Sequence, residues 1–248
     1  MEIIYILWLR QIKRYLRSRA RIIGSLGQPL LFMVALGFGF GPIFQKAGAG
    51  NYIQFLVPGV IAMTILFTAV FNGLEIIWDR QFGFLKEMLV APVSRLQIMV
   101  GRNLGGATIA VIQGLIVLLL SFLIGFRLDN WWSIWPALGF MFLIAYLFTL
   151  FGTAIASLVR DMQGFQLIMN FLIMPLFFLS GAFFPLDELP RPLLLVVKVD
   201  PLSYGVDAIR GVLAGLNHFS LFTDFAVLGI LIVILLIVAS YLFSRIEA

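Results

Sequence analysis

The stretch DFAVLGILIVILLIVASYLF, which runs from Asp224 to Phe243, contains one charged residue among twenty. A helix of about 20 apolar residues is long enough to cross the hydrocarbon layer of a membrane. Five other stretches have the same character; they are Ile22–Phe44, Ile53–Trp78, Ile98–Ile124, Ile134–Val159 and Gly164–Phe183. The sequence therefore predicts an all-α integral membrane protein with six transmembrane helices, numbered here as spans one to six in chain order.

The composition excludes a soluble chain and most kinds of site chemistry. Hydrophobic residues make up 62% of the 248 residues and charged residues 12%, with a mean hydropathy of +1.06, whereas a soluble surface needs roughly a quarter of its residues charged. Cysteine is absent and His218 is the one histidine, which excludes a disulfide framework or a Cys/His metal cluster. No catalytic set of residues is evident. No glycine precedes a lysine, so a G-x-x-x-x-G-K-[ST] phosphate loop is excluded. We expect no cofactor on this chain, and if transport uses ATP, another chain binds it.

The distribution of basic residues predicts the orientation. Six spans place both termini on one side of the membrane, together with segments 79–97 and 160–163. Of the 17 Lys and Arg residues, twelve lie in or just beyond the segments of that side and five lie on the other. Cytoplasmic segments carry the excess of positive charge. We therefore predict a multi-pass protein of the plasma (inner) membrane with both termini in the cytoplasm, and we do not interpret the net charge of +5 as a nucleic-acid surface.

Residues 1–21, ahead of span one, have the pattern of an amphipathic helix. Apolar residues recur at spacings of three and four, namely Tyr5, Trp8, Leu9, Ile12, Tyr15 and Leu16, and basic residues fill the other face. The pattern predicts a helix lying in the inner interface with its basic side toward anionic headgroups. Docking on a partner is the alternative. Residues 22–248 then form the six-span domain.

The cytoplasmic loop between spans two and three, residues 79–95, is too apolar for a solvated connector. Its apolar residues share one helical face, namely Phe82, Leu85, Met88 and Leu89. Pro92 ends the helix. Such a helix either lies on lipid or docks in the groove of a partner protein, and periodicity does not decide between the two.

A second unusual segment, residues 184–215, lies between spans five and six. Prolines open two short apolar stretches, one of which is Leu193–Val199, and an Asp-Pro turn separates them. Neither stretch is long enough to cross the membrane. We therefore predict a re-entrant outer helical hairpin whose backbone packs on protein.

Glu75 is the one acidic residue clearly inside a predicted span. A charge buried there costs about 3 kcal/mol or more without a partner, so Arg80 or a basic residue from Arg95 to Arg102 is predicted to pair with it. The pair can be structural, a latch between gating states, or a contact with substrate or a proton. The residues assigned to this gating or ion-pair site are Glu75, Asp79 and Arg102.

Taken together, these segments resemble a known family. The loop DRQFGFLKEML at 79–89, followed by APVSR at 91–95, is similar to that of the membrane permease subunits of type-2 ABC exporters, which export drugs, lipids or lipid-linked glycans. Matching outer motifs are SGAFFPL at 180–186, LP at 189–190, DPLSY at 200–204 and AIRG at 208–211. The resemblance covers nearly the whole chain and is nearest to the daunorubicin-resistance and nodulation lipo-oligosaccharide branches.

The resemblance implies a homodimer that sits on two copies of a cytoplasmic nucleotide-binding subunit, which binds ATP and Mg. It implies that 79–95 is the coupling helix, with coupling residues Arg80, Phe82, Leu85, Glu87, Met88 and Leu89. It implies that 184–215 is the outer gate, with gate residues Pro185, Pro190, Pro201, Tyr204 and Arg210. The implied function is ATP-driven export of an amphipathic drug, lipid or lipid-linked glycan from the inner leaflet or cytoplasm outward. The alternative is an ion-gradient-driven secondary transporter or channel, which several intramembrane ionisable residues would favour.

The aromatic residues deep in the spans are nearly all phenylalanine. Those predicted to line a substrate path are Phe67, Phe71, Phe148 and Phe177; the alternative is that they face lipid. Phenylalanine offers an apolar surface and a weak attraction for cations, whereas a sugar path needs hydroxyl and carboxamide groups among its aromatics. We therefore predict an amphipathic drug or lipid-like cargo rather than a long hydrophilic glycan.

Overall fold

The computed structural model describes residues 2–46, 50–90, 92–185 and 190–246, without the side chains of Arg21 and Leu89. Within those ranges every regular element is a helix. The helices are α1 Glu2–Arg17, α2 Arg19–Lys46, α3 Tyr52–Phe71, α4 Leu74–Gln81, α5 Phe84–Val90, α6 Arg95–Ile124, α7 Ile134–Leu158, α8 Met162–Leu179, α9 Arg191–Val199, α10 Pro201–Ala214 and α11 Leu221–Ser244, with a 3₁₀ turn at Trp131–Ser133 before α7.

Six stretches are long and apolar enough to cross a membrane, which confirms the six predicted spans. They are Ile22–Lys46, Tyr52–Gln81, Arg95–Ile124, Trp131–Leu158, Met162–Leu179 and Leu221–Ser244. Span two, built from α3 and α4, is largely buried among its neighbours, whereas spans one, five and six are mostly exposed on the surface of this single chain. Span five ends at Leu179, four residues earlier than predicted, because Ser180 and Gly181 turn the chain there.

Helix α1 packs lengthwise along α6 through two glycines. A Cβ added to Gly105 would lie 2.6 Å from the Cβ of Gln11, so only glycine allows the two helices to come this close. The indole Nε1 of Trp8 donates to Thr108 Oγ1 at 3.0 Å. The face of α1 that packs on the bundle differs in part from the predicted apolar face. Tyr15 of that face is buried, but Tyr5 of the same face is exposed, and Gln11, which was not assigned to it, is buried. Helix α1 also ends at Arg17, before Ser18. Its place in the inner interface stays a prediction.

The predicted coupling helix 79–95 is shorter in the structure. Asp79 and Arg80 belong to the last turns of α4, and α5 covers only Phe84–Val90. Gly83, with a φ of 80°, separates the two helices, because a left-handed residue ends a helix and glycine adopts that conformation without strain. Phe82 therefore lies in the connection rather than on the face of α5.

The outer segment 184–215 contains two helices, α9 and α10, and its residues 186–189 lie outside the described ranges. Helix α9 is largely exposed, whereas α10 packs against α3, α7 and α11 with most of its residues buried. Asp200 accepts a hydrogen bond from the Leu202 N–H at 2.9 Å and so caps α10. How deep the two helices lie in a membrane stays a prediction.

Candidate functional site

A cluster of ionic side chains joins α1, α4 and α6 at the predicted cytoplasmic end. Arg102 Nη1 lies 2.6 Å from Asp79 Oδ2, and both side chains are buried. Arg10 approaches the same oxygen at 3.5 Å. Arg14 of α1 lies 3.8 Å from Glu75. The structure thus brings the predicted Glu75, Asp79 and Arg102 together, but with different partners from those predicted.

Glu75 forms an ion pair with a residue that was not among its predicted partners. Its ion pair with Arg14 comes from the N-terminal helix, which the sequence pattern assigned to lipid headgroups. Arg102 binds Asp79 instead, and Arg80 Nη1 donates to the carbonyl of Val159 at 3.2 Å. The remaining guanidinium nitrogens of Arg80 are buried without a hydrogen-bond partner among the described residues. Arg80 is therefore turned toward span four rather than to the outside of the chain.

Helix α5 presents a different surface from the predicted one. Leu85 is 0% exposed and belongs to the core of this chain, and Met88 is half-buried with its sulfur 3.5 Å from Arg10 Nη1. Among the described side chains, the exposed apolar ones are Phe84 and Val90 on α5 and Phe82 in the connection before it, and these three together are called the exposed surface of α5. Glu87 is also exposed, while the side chain of Leu89 lies outside the described residues. An amphipathic pattern marks an apolar face but does not state whether that face packs inward.

Two cavities follow each other along span two, an inner one between span two and the N-terminal helix α1 and a middle one between span two and span one. The inner cavity, about 400 Å³, is lined by Arg14, Ser18, Phe71, Leu74, Glu75 and Trp78. The middle cavity, about 270 Å³, is lined by Ser25, Gln28, Pro29, Met63, Thr64, Phe67, Thr68, Phe71 and Gln113. Phe71 belongs to both linings, so the cavities adjoin at its ring. Among the described residues, none of those lining the middle cavity carries a charge.

Gln113 connects four helices beside the middle cavity. Its Nε2 donates to the hydroxyl of Tyr15 at 2.9 Å and to the hydroxyl of Ser25. Its Oε1 accepts from Thr68 at 2.5 Å. Polar side chains at this depth are costly in hydrocarbon and commonly mark a transported path or a helix contact. The sequence argument missed this cluster. A carboxamide in the middle of a 30-residue span was its one available signal.

The four path phenylalanines fall into two groups. Phe67 and Phe71 line the cavities and stack with their ring centres 6.4 Å apart. Phe177 is buried behind them, 6.1 Å from Phe67 and 4.8 Å from Phe183. Phe148 is a core residue of span four and, like Phe177, is only 2% exposed and lines neither the inner nor the middle cavity. Ring centres of Phe183 and Phe32 lie 5.5 Å apart, which extends the aromatic row toward the outer half.

The half of the bundle that is predicted to face outward, called the outer half, contains two further cavities. One, about 400 Å³, is almost wholly apolar and is lined by Phe32, Leu36, Phe40, Ile43, Phe44, Tyr52, Phe178, Phe183, Phe184 and Pro185. The other, about 450 Å³, adjoins it at Phe44 and Pro185 and includes Asp207 and Arg210 in its lining. These cavities form a row along span two, called the groove below, which is charged at its inner end and polar but uncharged in the middle. At its outer end one cavity is apolar and its neighbour includes Asp207 and Arg210, and neither shares a described lining residue with the middle cavity.

Arg210 of α10 holds the outer end together. Its Nε donates to the carbonyl of Phe55 at 3.2 Å, and its Nη2 donates to the carbonyls of Gly181 and Ala182 at 2.9 and 3.2 Å. The guanidinium carbon also lies 3.8 Å from the centre of the Phe55 ring. Burial lowers the pKa of Arg210 to about 10, so the group remains a cation at neutral pH. One side chain thus links α10, span two and the turn after span five.

The other predicted gate residues occupy helix ends. Pro190 precedes the first residue of α9, and Pro201 is the first residue of α10. The hydroxyl of Tyr204 donates to the carbonyl of Lys198 at 2.7 Å, which ties α10 to α9. Burial raises the pKa of Asp200 to about 7, although the N–H of Leu202 and the Ser203 hydroxyl favour its charged form.

The comparison with known families decides the identity of this six-span bundle. Residues 2–214 match the family described as ABC-2 type transporter. The chain belongs to that family. The ABC-2 chain is 31% identical over 201 residues to ycf38 of Cyanophora paradoxa, which is named as a transport permease, with 78% of this chain and 68% of the relative covered.

Two further relatives cover more of the ABC-2 chain. Nodulation protein J of Rhizobium leguminosarum bv. viciae is 27% identical over 228 residues, covering 91% of this chain and 87% of the relative. The inner membrane transport permease YadH of Escherichia coli K12 is 27% identical over 242 residues, covering 96% and 93%. The protein is therefore a multi-pass membrane subunit of an ABC transporter, and the family implies pairing with an ABC nucleotide-binding subunit. This assignment replaces the ion-gradient-driven alternative.

Proposed function

We propose that the ABC-2 chain exports an amphipathic molecule, such as a drug, a lipid or a lipid-linked glycan, from the inner leaflet or cytoplasm outward. Two copies of the chain form a homodimer on two nucleotide-binding subunits, which hold the ATP and Mg. Both termini face the cytoplasm, because twelve basic residues lie on their side against five on the other.

The groove along span two is the observation that carries the proposal. Its inner cavity begins among Arg14, Glu75 and Trp78, its middle cavity offers hydroxyl and carboxamide groups, and its outer cavity is apolar. An amphiphile needs hydrogen bonds for its polar part and apolar surface for its tail, because a desolvated polar group without a partner is costly. The groove supplies hydrogen-bonding groups in its middle cavity and apolar surface in its outer cavity.

The exposed surface of α5 is the proposed contact with the nucleotide-binding subunit. Phe82, Phe84 and Val90 are exposed on the side that carries most of the positive charge, and an exposed apolar patch next to water marks an interaction site. Leu85 and Met88, which the sequence placed in that contact, instead attach α5 to its own chain.

Motion of α5 has two routes into the spans. Helix α5 follows α4 directly, and α4 carries Asp79, which binds Arg102 of span three. Arg10 of α1 contacts both Asp79 and Met88, and α1 leads into span one at Ser18. ATP binding that closes the nucleotide-binding subunits would favour one of two arrangements of these contacts, and hydrolysis would restore the other.

Reconstitution with the nucleotide-binding subunit in lipid vesicles tests the proposal. We expect hydrophobic drugs or lipids to stimulate ATP hydrolysis and a fluorescent lipid to move from the outer leaflet of inside-out vesicles to the lumen-facing leaflet. Phe71→Ala should slow transport several-fold, because the ring of Phe71 lines both the inner and the middle cavity where the two adjoin. Phe171→Ala, at an exposed ring on span five, is the matched control. Stimulation by polyprenyl-linked glycans alone would contradict the drug or lipid-like cargo, and ATP hydrolysis insensitive to every amphiphile would contradict the function.

A further inference from the structure

The hydroxyl groups of the middle cavity all donate their hydrogens inward. Thr64 donates to the carbonyl of Val60 at 2.8 Å, and Ser25 donates to the carbonyl of Ile22 at 2.9 Å. Thr68 donates to Gln113 Oε1 at 2.5 Å. A hydroxyl has one hydrogen and two acceptor lone pairs. Each of these oxygens therefore keeps acceptor capacity at the cavity but has no hydrogen left to give.

Gln113 adds to this excess of hydrogen-bond acceptors over donors at the middle cavity. Its amide group donates to Tyr15 and to Ser25, so its two hydrogens are also used within the protein. The fixed part of the lining thus presents acceptors rather than donors. Gln28 is the adaptable group, because it is exposed at the same cavity and its carboxamide has no hydrogen-bond partner among the described residues.

The charge of a cargo group also limits which groups can bind in the middle cavity. The described residues that line the middle cavity are all uncharged, so an anion or a cation entering it would lose its hydration without a counter-charge, which is costly. A phosphate group would find donors only in the amide hydrogens of Gln28 and acceptors in the rest of the polar lining. A quaternary ammonium has no hydrogen to donate. An uncharged O–H or N–H group needs no counter-charge and can donate a hydrogen bond to the acceptors of the lining.

We infer that the middle cavity is a recognition site for an uncharged hydrogen-bond donor on the cargo, either a hydroxyl or an amide N–H, with Gln28, Thr64 and Thr68 as its specificity-determining residues. The inference rests on the proposed function, since it names the class of cargo that the groove accepts. It also changes the expected path. The structure places Phe67 and Phe71 among the hydroxyl and carboxamide groups that the sequence did not show beside them.

Three amphiphiles with one tail test this inference on the complex with its nucleotide-binding subunit in lipid nanodiscs. They are octyl glucoside, its fully O-methylated derivative and octyl phosphate, each used below its micelle concentration. Methylation removes the donors of the headgroup and keeps its acceptors. We expect the wild-type complex to bind octyl glucoside about tenfold more tightly than either of the others, as one or two net hydrogen bonds would give.

Matched variants separate the cavity from general stability. Thr64→Val removes a lining oxygen and should lower the glucoside preference about threefold, as should Gln28→Leu at an exposed position. Thr149→Val is the control for the first, because Thr149 is equally buried and donates to the carbonyl of Ala145 at 2.7 Å in span four, away from the cavity. Gln166→Leu, exposed in span five, is the control for the second.

Each result decides the inference. Wild-type preference for the glucoside that falls in Thr64→Val and Gln28→Leu, but not in their controls, supports it. Equal wild-type affinity for the glucoside and its methylated form overturns it, as does a preference that both cavity variants retain or that Thr149→Val loses equally. ATP hydrolysis in the same complexes keeps the two proposals apart. Stimulation by all three amphiphiles alike would leave the export proposal standing without this specificity, whereas export itself would be contradicted only if neither these three nor the drugs and lipids of the reconstitution test stimulated ATP hydrolysis.

Discussion

The two ends of the protein, called inner and outer after the predicted orientation, each bury an arginine, and they hold it in different ways. At the inner end, Arg102 is balanced by the carboxylate of Asp79, which Arg10 also approaches from α1. At the outer end, Arg210 is held by three backbone carbonyls and an aromatic ring. A carboxylate with two cationic neighbours can exchange partners, whereas carbonyls move only when their backbone moves. The comparison indicates a switchable inner end and a fixed outer clamp.

Removing Asp79 should have the largest effect. Asp79→Leu leaves the buried guanidinium of Arg102 without its carboxylate, which typically costs about 3–5 kcal/mol. We expect a loss of unfolding free energy of that size in denaturation of the detergent-solubilised protein. Asp79→Leu combined with Arg102→Met should recover much of it, because the uncompensated charge is then gone. A double variant as unstable as the single one would contradict the pairing.

Removing Arg210 should have the next largest effect on stability, and it tests whether the outer end is a fixed clamp. Arg210→Leu leaves the carbonyls of Phe55, Gly181 and Ala182 without their donor, at a cost of about 2–3 kcal/mol. The same substitution at the exposed Arg127 of the loop after span three is the control. Denaturation measured side by side should separate the two variants. Equal stability would show that the carbonyls find other donors and that no clamp exists.

These two arginines also show which features a sequence can predict. Hydropathy over twenty residues is a local property, so all six spans were predictable. The acceptors of Arg210 lie 28 to 155 residues away, and no local pattern names them. Arg10 and Arg14 were assigned to lipid headgroups because one helix face carried them, but in the structure they face two carboxylates of α4, those of Asp79 and Glu75.

Helix α5 shows the same limit in packing. The period of the apolar residues in the loop predicted a helix over 79–95 with Phe82 and Leu85 on its exposed face, yet α5 covers only Phe84–Val90 and Leu85 packs into its own chain. Phe148 was predicted to line a path for its depth alone, whereas it is enclosed in the core. Gly105 leaves room for a close helix contact, but only the structure shows that α1 fills that room. Burial depends on which helices become neighbours.

Variants on α5 test which of its side chains bind the nucleotide-binding subunit at the inner end. Phe84→Asp should weaken binding of the nucleotide-binding subunit at least about tenfold, or ~1.4 kcal/mol, because it places a charge in an apolar contact. The stability of the permease alone should not change, since Phe84 is 56% exposed. Leu85→Ala should do the reverse, lowering stability more than binding. Loss of binding only with Leu85→Ala would return the contact to the face that the sequence predicted.

The smallest expected effect is at Arg14, and it tests whether the inner end is switchable. Arg14 lies 3.8 Å from Glu75 with 40% of its side chain exposed, so Arg14→Gln should cost less than about 1 kcal/mol relative to Arg17→Gln, an exposed neighbour on the same helix. Salt provides the deciding measurement. At about 1 M ionic strength the screening length falls to ~3 Å, so the Arg14→Gln effect should fade while that of Arg210→Leu persists, because the carbonyl contacts are buried. A large, salt-insensitive loss at Arg14 would mean that α1 is locked to α4, and the inner end would then be as fixed as the outer one.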